Sequence, residues 1–318
     1  MNPCDLTYDI CRCYLNDQRD VDPALVSKIR GFHRSRNLAG LTSCSRYFDE
    51  ALHTVIEWRF LRQVEAFFKK NSAFSNDEMC EAAARKSFMD SEANCSITNR
   101  RLQTFIKHPG LLDQSLTKKI SRMERYICNV LGDFTRFLDD LPNLVRVTPG
   151  ATASSSRRNS LPQMKLRMRL YSTNRAAKYL DALYRFHGFR SPRIKPTTSN
   201  RVELVPKNWK TARTIACEPE GNLPLQLAFD KYAKRRLRHF GIKLHDQSRN
   251  QLLAKRASVD NSLATVDFSA ASDTISYNVV SWLFPVDWFS FLRDVRSPGY
   301  RGVFGDGVYS KFSSMGNG

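Results

Sequence analysis

The sequence predicts an α+β protein whose N-terminal part is helical and whose strands come later. Three observations carry that expectation. Apolar residues recur at three- and four-residue spacing through much of the first 140 positions. At Pro142 the composition shifts to the Gly, Pro and Ser of loops. Beyond it come short apolar, partly β-branched stretches at Val202–Pro206, Thr214–Cys217 and Leu263–Val266, which read as strands.

In order along the chain, Pro23 after Asp22 marks a short helix with proline at its first position. Residues 46–70 read as an amphipathic helix with Phe48, Leu52, Val55, Ile56, Phe60, Val64, Phe67 and Phe68 on its apolar side. A second helix is expected from Asn76 to Met89 and a third from Thr98 to Lys107. A long helix over 115–140 carries Ile120, Met123, Ile127, Val130, Leu131, Phe134 and Leu138 on one face. None of these stretches carries recognisable chemistry. Lys165–Tyr171 alternates basic and apolar residues, as a strand or basic arm would, and helices follow over 174–187 and 223–240. Residues 275–284 form another helical run. Phe304-Gly-Asp-Gly307 reads as a hairpin turn, with Asp306 a turn residue and not a catalytic one. His33, His239 and His245 are read as surface residues.

Composition narrows the function. The 318 residues carry a net charge of +19. Residues 150–256 hold 24 Lys and Arg against 6 Asp and Glu, whereas residues 257–318 hold 4 against 6. A basic block of that kind suits a polyanion, with nucleic acid the leading candidate. No run of about 18 apolar residues is present, which excludes a membrane helix by pattern. The eight cysteines show no zinc spacing, and scattered thiols fit a reducing cytoplasm.

Three stretches carry candidate chemistry. In Leu263-Ala-Thr-Val-Asp-Phe-Ser-Ala-Ala-Ser-Asp273, a short buried strand is expected to deliver Asp267 at its tip, with Asp273 after a small-residue turn. Paired carboxylates so placed suit a Mg²⁺ and nucleotide site. The same residues would equally serve as a turn and a helix cap. Upstream, Lys207, Lys210 and Arg213 place three cations at intervals of three between strand-like flanks. That spacing suits a triphosphate, although a solvated basic turn has the same composition. The third stretch is Ser313-Ser-Met-Gly-Asn-Gly318. In the loop at 149–162, Gly150, the hydroxyls of Thr152, Ser154, Ser155 and Ser156, and Arg157 and Arg158 suit contacts to a phosphate backbone, or simply a connector.

Together these stretches resemble the RNA-directed RNA polymerase, or replicase catalytic subunit, of the levivirus-type positive-strand RNA bacteriophages. The basic stretch is similar to the fingers motif that holds the incoming triphosphate, Val266–Asp273 to palm motif A, and Ser314–Gly318 to the start of motif B. Pro149-Gly-Ala-Thr152 and Arg157-Arg-Asn-Ser-Leu-Pro162 also resemble that group. The resemblance implies a right-hand polymerase: a helical region over 1–141, basic fingers over 142–236, and the start of a palm over 237–318. It implies that Asp267 and the main-chain carbonyl of Phe268 ligate catalytic Mg²⁺. It further implies that Asp273 and Asn317 form a gate that senses the ribose 2′-hydroxyl, which a deoxyribose lacks, with Ser314 nearby. The family's motif C and thumb lie downstream of motif B and are absent here, so a truncated polymerase is expected. One carboxylate does not hold two ions, and the chain is expected to be inactive alone. Implied partners are an RNA template, ribonucleoside triphosphates, host elongation factors Tu and Ts and a small-subunit ribosomal protein, in the cytoplasm of a bacterial host. Two competing readings stand beside this one. A reverse transcriptase would carry a bulky aromatic where Ala271-Ser-Asp273 is small and acidic. A non-catalytic basic RNA-binding module would explain the charge but not the motifs.

Overall fold

Capping residues, more than apolar periodicity, decide where the helices begin. The computed structural model describes residues 2–156, 158, 160–167 and 169–316. Helices dominate it, with one two-stranded and one four-stranded sheet among the described residues, a mixed α+β architecture as expected. The chain forms two units, Met1–Ser87 with Leu204–Thr214, and Phe88–Glu203 with Ile215–Gly318. The expected boundaries at 141 and 236 both fall inside the second unit.

The first unit holds α1 (Pro3–Asn16), α2 (Pro23–Arg34), the single turn α3 (Leu38–Leu41) and α4 (Val55–Lys69). Asp22 caps α2 ahead of its proline, as read from the sequence. The helix expected from residue 46 starts nine residues later. Thr54 and Glu57 form a capping box there, Glu57 accepting from the Thr54 amide at 2.8 Å and Thr54 accepting from the Ile56 amide at 3.1 Å. Phe48 and Leu52 therefore precede the helix. Phe60, Leu61, Val64 and Phe68 of α4 pack with Tyr8, Leu15, Leu25 and Ile29 in one core. Cys11 is buried in this core, which pushes its thiol up to about 12, the opposite of the thiolate a metal needs.

The second helix of the sequence reading and the one after it are a single element, α5 (Asp77–Lys107). No Gly or Pro interrupts those 31 residues, so nothing stops propagation. The long helix expected over 115–140 is instead two, α6 (Gln114–Leu131) and α7 (Phe134–Leu144). Gly132 between them adopts φ +70°, and Asp133 caps the second by accepting from the Thr135 amide at 2.9 Å. Of the stretch at 165–171 expected as a strand or basic arm, Lys165–Arg167 ends α8 (Pro162–Arg167), and Leu170 and Tyr171 open the short β1 (Leu170–Ser172).

In the second unit β1 pairs in parallel with β2 (Ile194–Pro196), and α9 (Asn174–Phe186) makes the crossover. The larger sheet has the order β4-β3-β5-β6, from β3 (Ser199–Pro206), β4 (Ala212–Cys217), β5 (Gly299–Gly302) and β6 (Gly307–Val308). β3 and β5 run parallel, Ser199 opposite Gly299, and β5 and β6 form the hairpin that Gly-Asp-Gly predicted. The remaining helices are α10 (Asn222–His239), α11 (Ser248–Asp260), α12 (Tyr277–Leu283) and α13 (Val286–Val295). Helices α6, α7, α9, α10 and α13 share a core of Leu131, Phe137, Leu141, Leu180, Leu225, Trp288 and Phe291. At its centre Phe137 meets Phe291 edge-on at 4.9 Å, and Trp288 donates to the Gly132 carbonyl at 3.1 Å. Among the described residues no helix is long and apolar enough to cross a membrane.

The capping box yields a pH prediction. Hydrogen bonds from the Thr54 side chain and amide, with the helix's own N–H and the Asp22 amide, hold the Glu57 carboxyl at about 2. Its ordinary value is about 4.3. The folded value lies below the unfolded one, so the stabilisation is present above about pH 4.3 and is lost as the pH falls towards 2. Thermal melts from about pH 5 to about pH 2 are expected to show a Tm that declines less steeply for Glu57→Gln than for the unmodified chain. Parallel declines would remove Glu57 from the acid sensitivity.

Candidate functional site

The segment that was expected to be a buried strand is neither a strand nor buried. Residues 261–270 form an exposed irregular stretch, with Val266 73% and Phe268 77% exposed. A strand exists through its ladder, and no described residue pairs with Leu263–Val266. Asp267 thus stands on an exposed segment. Ala270 turns the chain with φ +51°, and a 3-10 turn over Ala271–Thr274 presents Asp273.

Asp273 does not cap the following helix. Ser276 stands at the start of α12, and the Asp273 carboxylate instead takes a hydrogen bond from Lys311 Nζ at 2.7 Å. Lys311 is 1% exposed. The backbone explains why the two meet. Ser276 bridges Lys311, the Phe312 amide donates to the Ile275 carbonyl at 2.7 Å, and the Tyr277 amide donates to the Ser310 carbonyl at 3.1 Å. This short antiparallel pairing brings the turn bearing Asp273 against the segment that leads to Ser314.

Helix α5 braces the pairing from one face. Glu92 accepts from the Ser310 amide at 2.6 Å, and Asn99 donates to the Ser310 carbonyl at 2.7 Å. Asn99 also accepts from the Asn278 amide at 2.9 Å. Glu92, Cys95 and Asn99 recur at spacings of three and four, one stripe of the helix. Burial pushes the Glu92 carboxyl above its ordinary range, against the opposing pull of the Ser310 amide and Lys311. Arg296 adds two bonds, to the carbonyls of Phe312 at 2.8 Å and Lys311 at 3.0 Å.

Ser314 is nearly buried and belongs to a second network. Burial raises the Tyr309 phenol, and hydrogen bonding with Ser314 and Asn200 offsets part of that rise. Tyr309 donates to Asn200 Oδ1 at 2.8 Å, and Asn200 donates to Glu218 at 2.7 Å. Ser297 and Gln226 complete the Glu218 shell at 2.9 and 3.1 Å. Burial pushes the Glu218 carboxyl up. None of the buried side-chain polar atoms of Tyr309, Asn200, Glu218, Ser297 and Gln226 lacks a partner, as buried polar networks require. Beyond Ser314, the Ala216 amide of β4 donates to the Met315 carbonyl at 2.8 Å. Asn317, predicted to act with Asp273, lies outside the described residues.

The basic triad belongs to the other unit. The turn between β3 and β4 closes on Asn208, whose side chain accepts from the amides of Lys210 and Thr211, both at 2.9 Å. Lys207, Lys210 and Arg213 are exposed and pair with no described carboxylate. The loop at 150–156 behaves otherwise. Thr152 donates to Glu220 at 2.7 Å, Ser154 donates to its other oxygen, and Ser155 bonds Thr152 at 2.7 Å. Those three hydroxyls are spent internally and do not face a phosphate backbone. Arg157 lies outside the described residues, and Arg158 is exposed.

Asp273 is therefore set against Lys311 and Ser314 beside Tyr309, in two separate networks, and Lys311, Glu92, Tyr309 and Asn200 were missed in the sequence. A faint signal existed: Tyr309 and Lys311 share one parity of a strand-like run, so a lysine is placed on an inward face. As for a cation, Asp267 and the Phe268 carbonyl are hard oxygen donors on an exposed segment, which fits a place in one Mg²⁺ shell beside phosphates and water. Among the described residues no three His, Cys, Asp or Glu side chains gather to hold an ion. The described residues do not by themselves build a two-ion centre.

The family described as RNA replicase, beta-chain, matches residues 20–318, and the chain belongs to that family. It is 40% identical to the RNA-directed RNA polymerase subunit beta of Enterobacteria phage SP, over 75% of this chain and 42% of that protein. It is also 40% identical to the corresponding subunit of Escherichia virus Qbeta, over 75% of this chain and 40% of that protein. The RNA-directed RNA polymerase beta chain of Escherichia phage MS2 is 40% identical over 48% of this chain and 28% of its own length. The chain spans about two-fifths of the length of the first two relatives.

The contact between Met315 and β4 depends on the next residue. Gly316 adopts φ +103°, and a Cβ there would lie 2.7 Å from the Ala216 carbonyl oxygen and 2.7 Å from Ile215 Cγ2. Gly316→Ala is expected to open this contact and to speed hydrogen exchange at the Ala216 amide by about tenfold, with more distant amides unchanged. Unchanged protection at Ala216 would show that the contact does not need the glycine.

Proposed function

We propose that this chain carries the fingers and the beginning of the palm of a right-hand RNA-directed RNA polymerase that copies the genome of a positive-strand RNA phage in its bacterial host. The observation that carries the reading is the pairing of residues 275–277 with 310–312. It holds Asp273 beside the segment leading to Ser314, although the two are far apart in sequence. An acidic acceptor held on that turn suits the recognition of a ribose hydroxyl. The 40% identity to phage polymerase subunits supports the same reading.

In this reading Lys207, Lys210 and Arg213 grip the triphosphate of the incoming ribonucleotide, Arg213 as a fork and the lysines as point charges. Asp267 and the Phe268 carbonyl contribute oxygen ligands to Mg²⁺. When bound, Mg²⁺ supplies activation of the primer 3′-oxygen and neutralisation of the leaving pyrophosphate. Asp273, with Ser314 and Asn317, reads the sugar. The surplus positive charge of residues 150–256 attracts template and product RNA. The resemblance to phage replicases extends the partners to host elongation factors Tu and Ts and a small-subunit ribosomal protein.

Primer extension on an RNA template with Mg²⁺, by protein made from the complete reading frame, tests the reading. Asp267→Asn is expected to lower extension on the order of a hundredfold. Lys210→Ala is expected to raise the KM for nucleotide about tenfold with a smaller change in kcat. RNA binding without extension, or full activity of Asp267→Asn, would instead favour a non-catalytic RNA-binding module.

A further inference from the structure

We propose that Lys311 is a positioning residue for ribose selection, its buried ammonium fixing the Asp273 carboxylate in the orientation that meets an incoming nucleotide. The proposal rests on the reading of Asp273 as part of a sugar-sensing site, and it adds a residue that the motifs do not name.

The geometry is specific. Lys311 is 1% exposed, yet a lysine is costly to bury unless its charge is met. Two carboxylates face it. Asp273 Oδ1 lies at 2.7 Å, within hydrogen-bond range, and Glu92 Oε1 at 3.7 Å, outside it. The other Glu92 oxygen is already engaged by the Ser310 amide at 2.6 Å. The ammonium also lies over the Phe88 ring, 4.2 Å from its centre. Glu92 and Phe88 come from the same helix, α5, so the lysine is held from behind by a rigid element and reaches forward to Asp273. The Asp273 side chain keeps 27% of its surface open. A charge-assisted bond to one oxygen leaves the remainder of the carboxylate presented to solvent in a single orientation. Preorganised in this way, Asp273 need not choose a rotamer when a sugar arrives.

A purely structural ion pair would tie down the 3-10 turn and contribute nothing to selectivity. The two roles separate in a ratio. Protein from the complete reading frame would be assayed on a primed RNA template with Mg²⁺ for kcat/KM with ATP and with 2′-deoxy-ATP. Lys311→Met is expected to lower the ribose-to-deoxyribose ratio about tenfold, mainly through a higher KM for ATP, with the ratio largely rescued in Lys311→Arg. Asp273→Ala is expected to lower the ratio at least as far, and Lys311→Met added to it should lower it no further. If Lys311→Met does not fold, Lys311→Gln keeps a donor without the charge on a shorter stem, and the same ratio decides. A folded Lys311 variant with an unchanged ratio, while Asp273→Ala loses it, overturns the proposal and leaves the sugar-sensing reading standing. An unchanged ratio in Asp273→Ala overturns both.

Discussion

Two backbone hydrogen bonds, which make one antiparallel bridge between residues 275–277 and 310–312, carry the arrangement of the site. Neither segment belongs to the larger sheet, and neither has enough length to hold a position alone. What fixes them is the stripe of α5 that satisfies their polar groups, through Glu92 and Asn99. The cost of burying Lys311 and Arg296 in the same place is met because each finds acceptors: a carboxylate for the lysine, backbone carbonyls for the arginine. Remove the pairing, and Asp273 becomes one more exposed turn residue, as Asp267 already is.

A second layer of control runs through Glu218. Its carboxylate gathers Asn200 from β3, Gln226 from α10 and Ser297 from the approach to β5. Asn200 hands the order on to Tyr309, and Tyr309 to Ser314. The two residues of the candidate site are thus held by different means. Asp273 is held by charge and Ser314 by neutral hydrogen bonds, and both routes pass through the six residues from Tyr309 to Ser314. A carboxylate buried as deeply as Glu218 is costly to leave unmet, which makes this network a determinant of one arrangement over others.

How much of this was legible in the sequence depended on the kind of signal. Helices with a clear stop or start were readable, such as α2 behind Asp22-Pro23 and α10. Those read by periodicity alone were misjudged at their ends. The Thr54-x-x-Glu57 box and Gly132-Asp133 were present as letters but were outweighed by apolar spacing that continued across them. At the candidate site the small-residue turn that presents Asp273 was legible, because a turn is encoded locally. Lys311 and Glu92 are 219 positions apart and join through tertiary packing, which no local pattern records. Leu263–Val266 failed for a related reason: β propensity describes a fit to a neighbouring strand, and none among the described residues pairs with it.

The parallel pairing of β3 with β5 has a consequence in time. Ser199 lies opposite Gly299, so one strand is complete a hundred residues before its partner exists. At synthesis rates of roughly 5 to 20 residues per second, β3 waits about 5 to 20 s on the ribosome with one edge unsatisfied. The helices of the first core, whose contacts are local, need no such delay. The N-terminal helical core is therefore the early product of translation, and the sheet beside the candidate site is a late one. During that interval the nascent chain exposes β3 to every other strand in the cell, and the speed of the ribosome sets how long the exposure lasts.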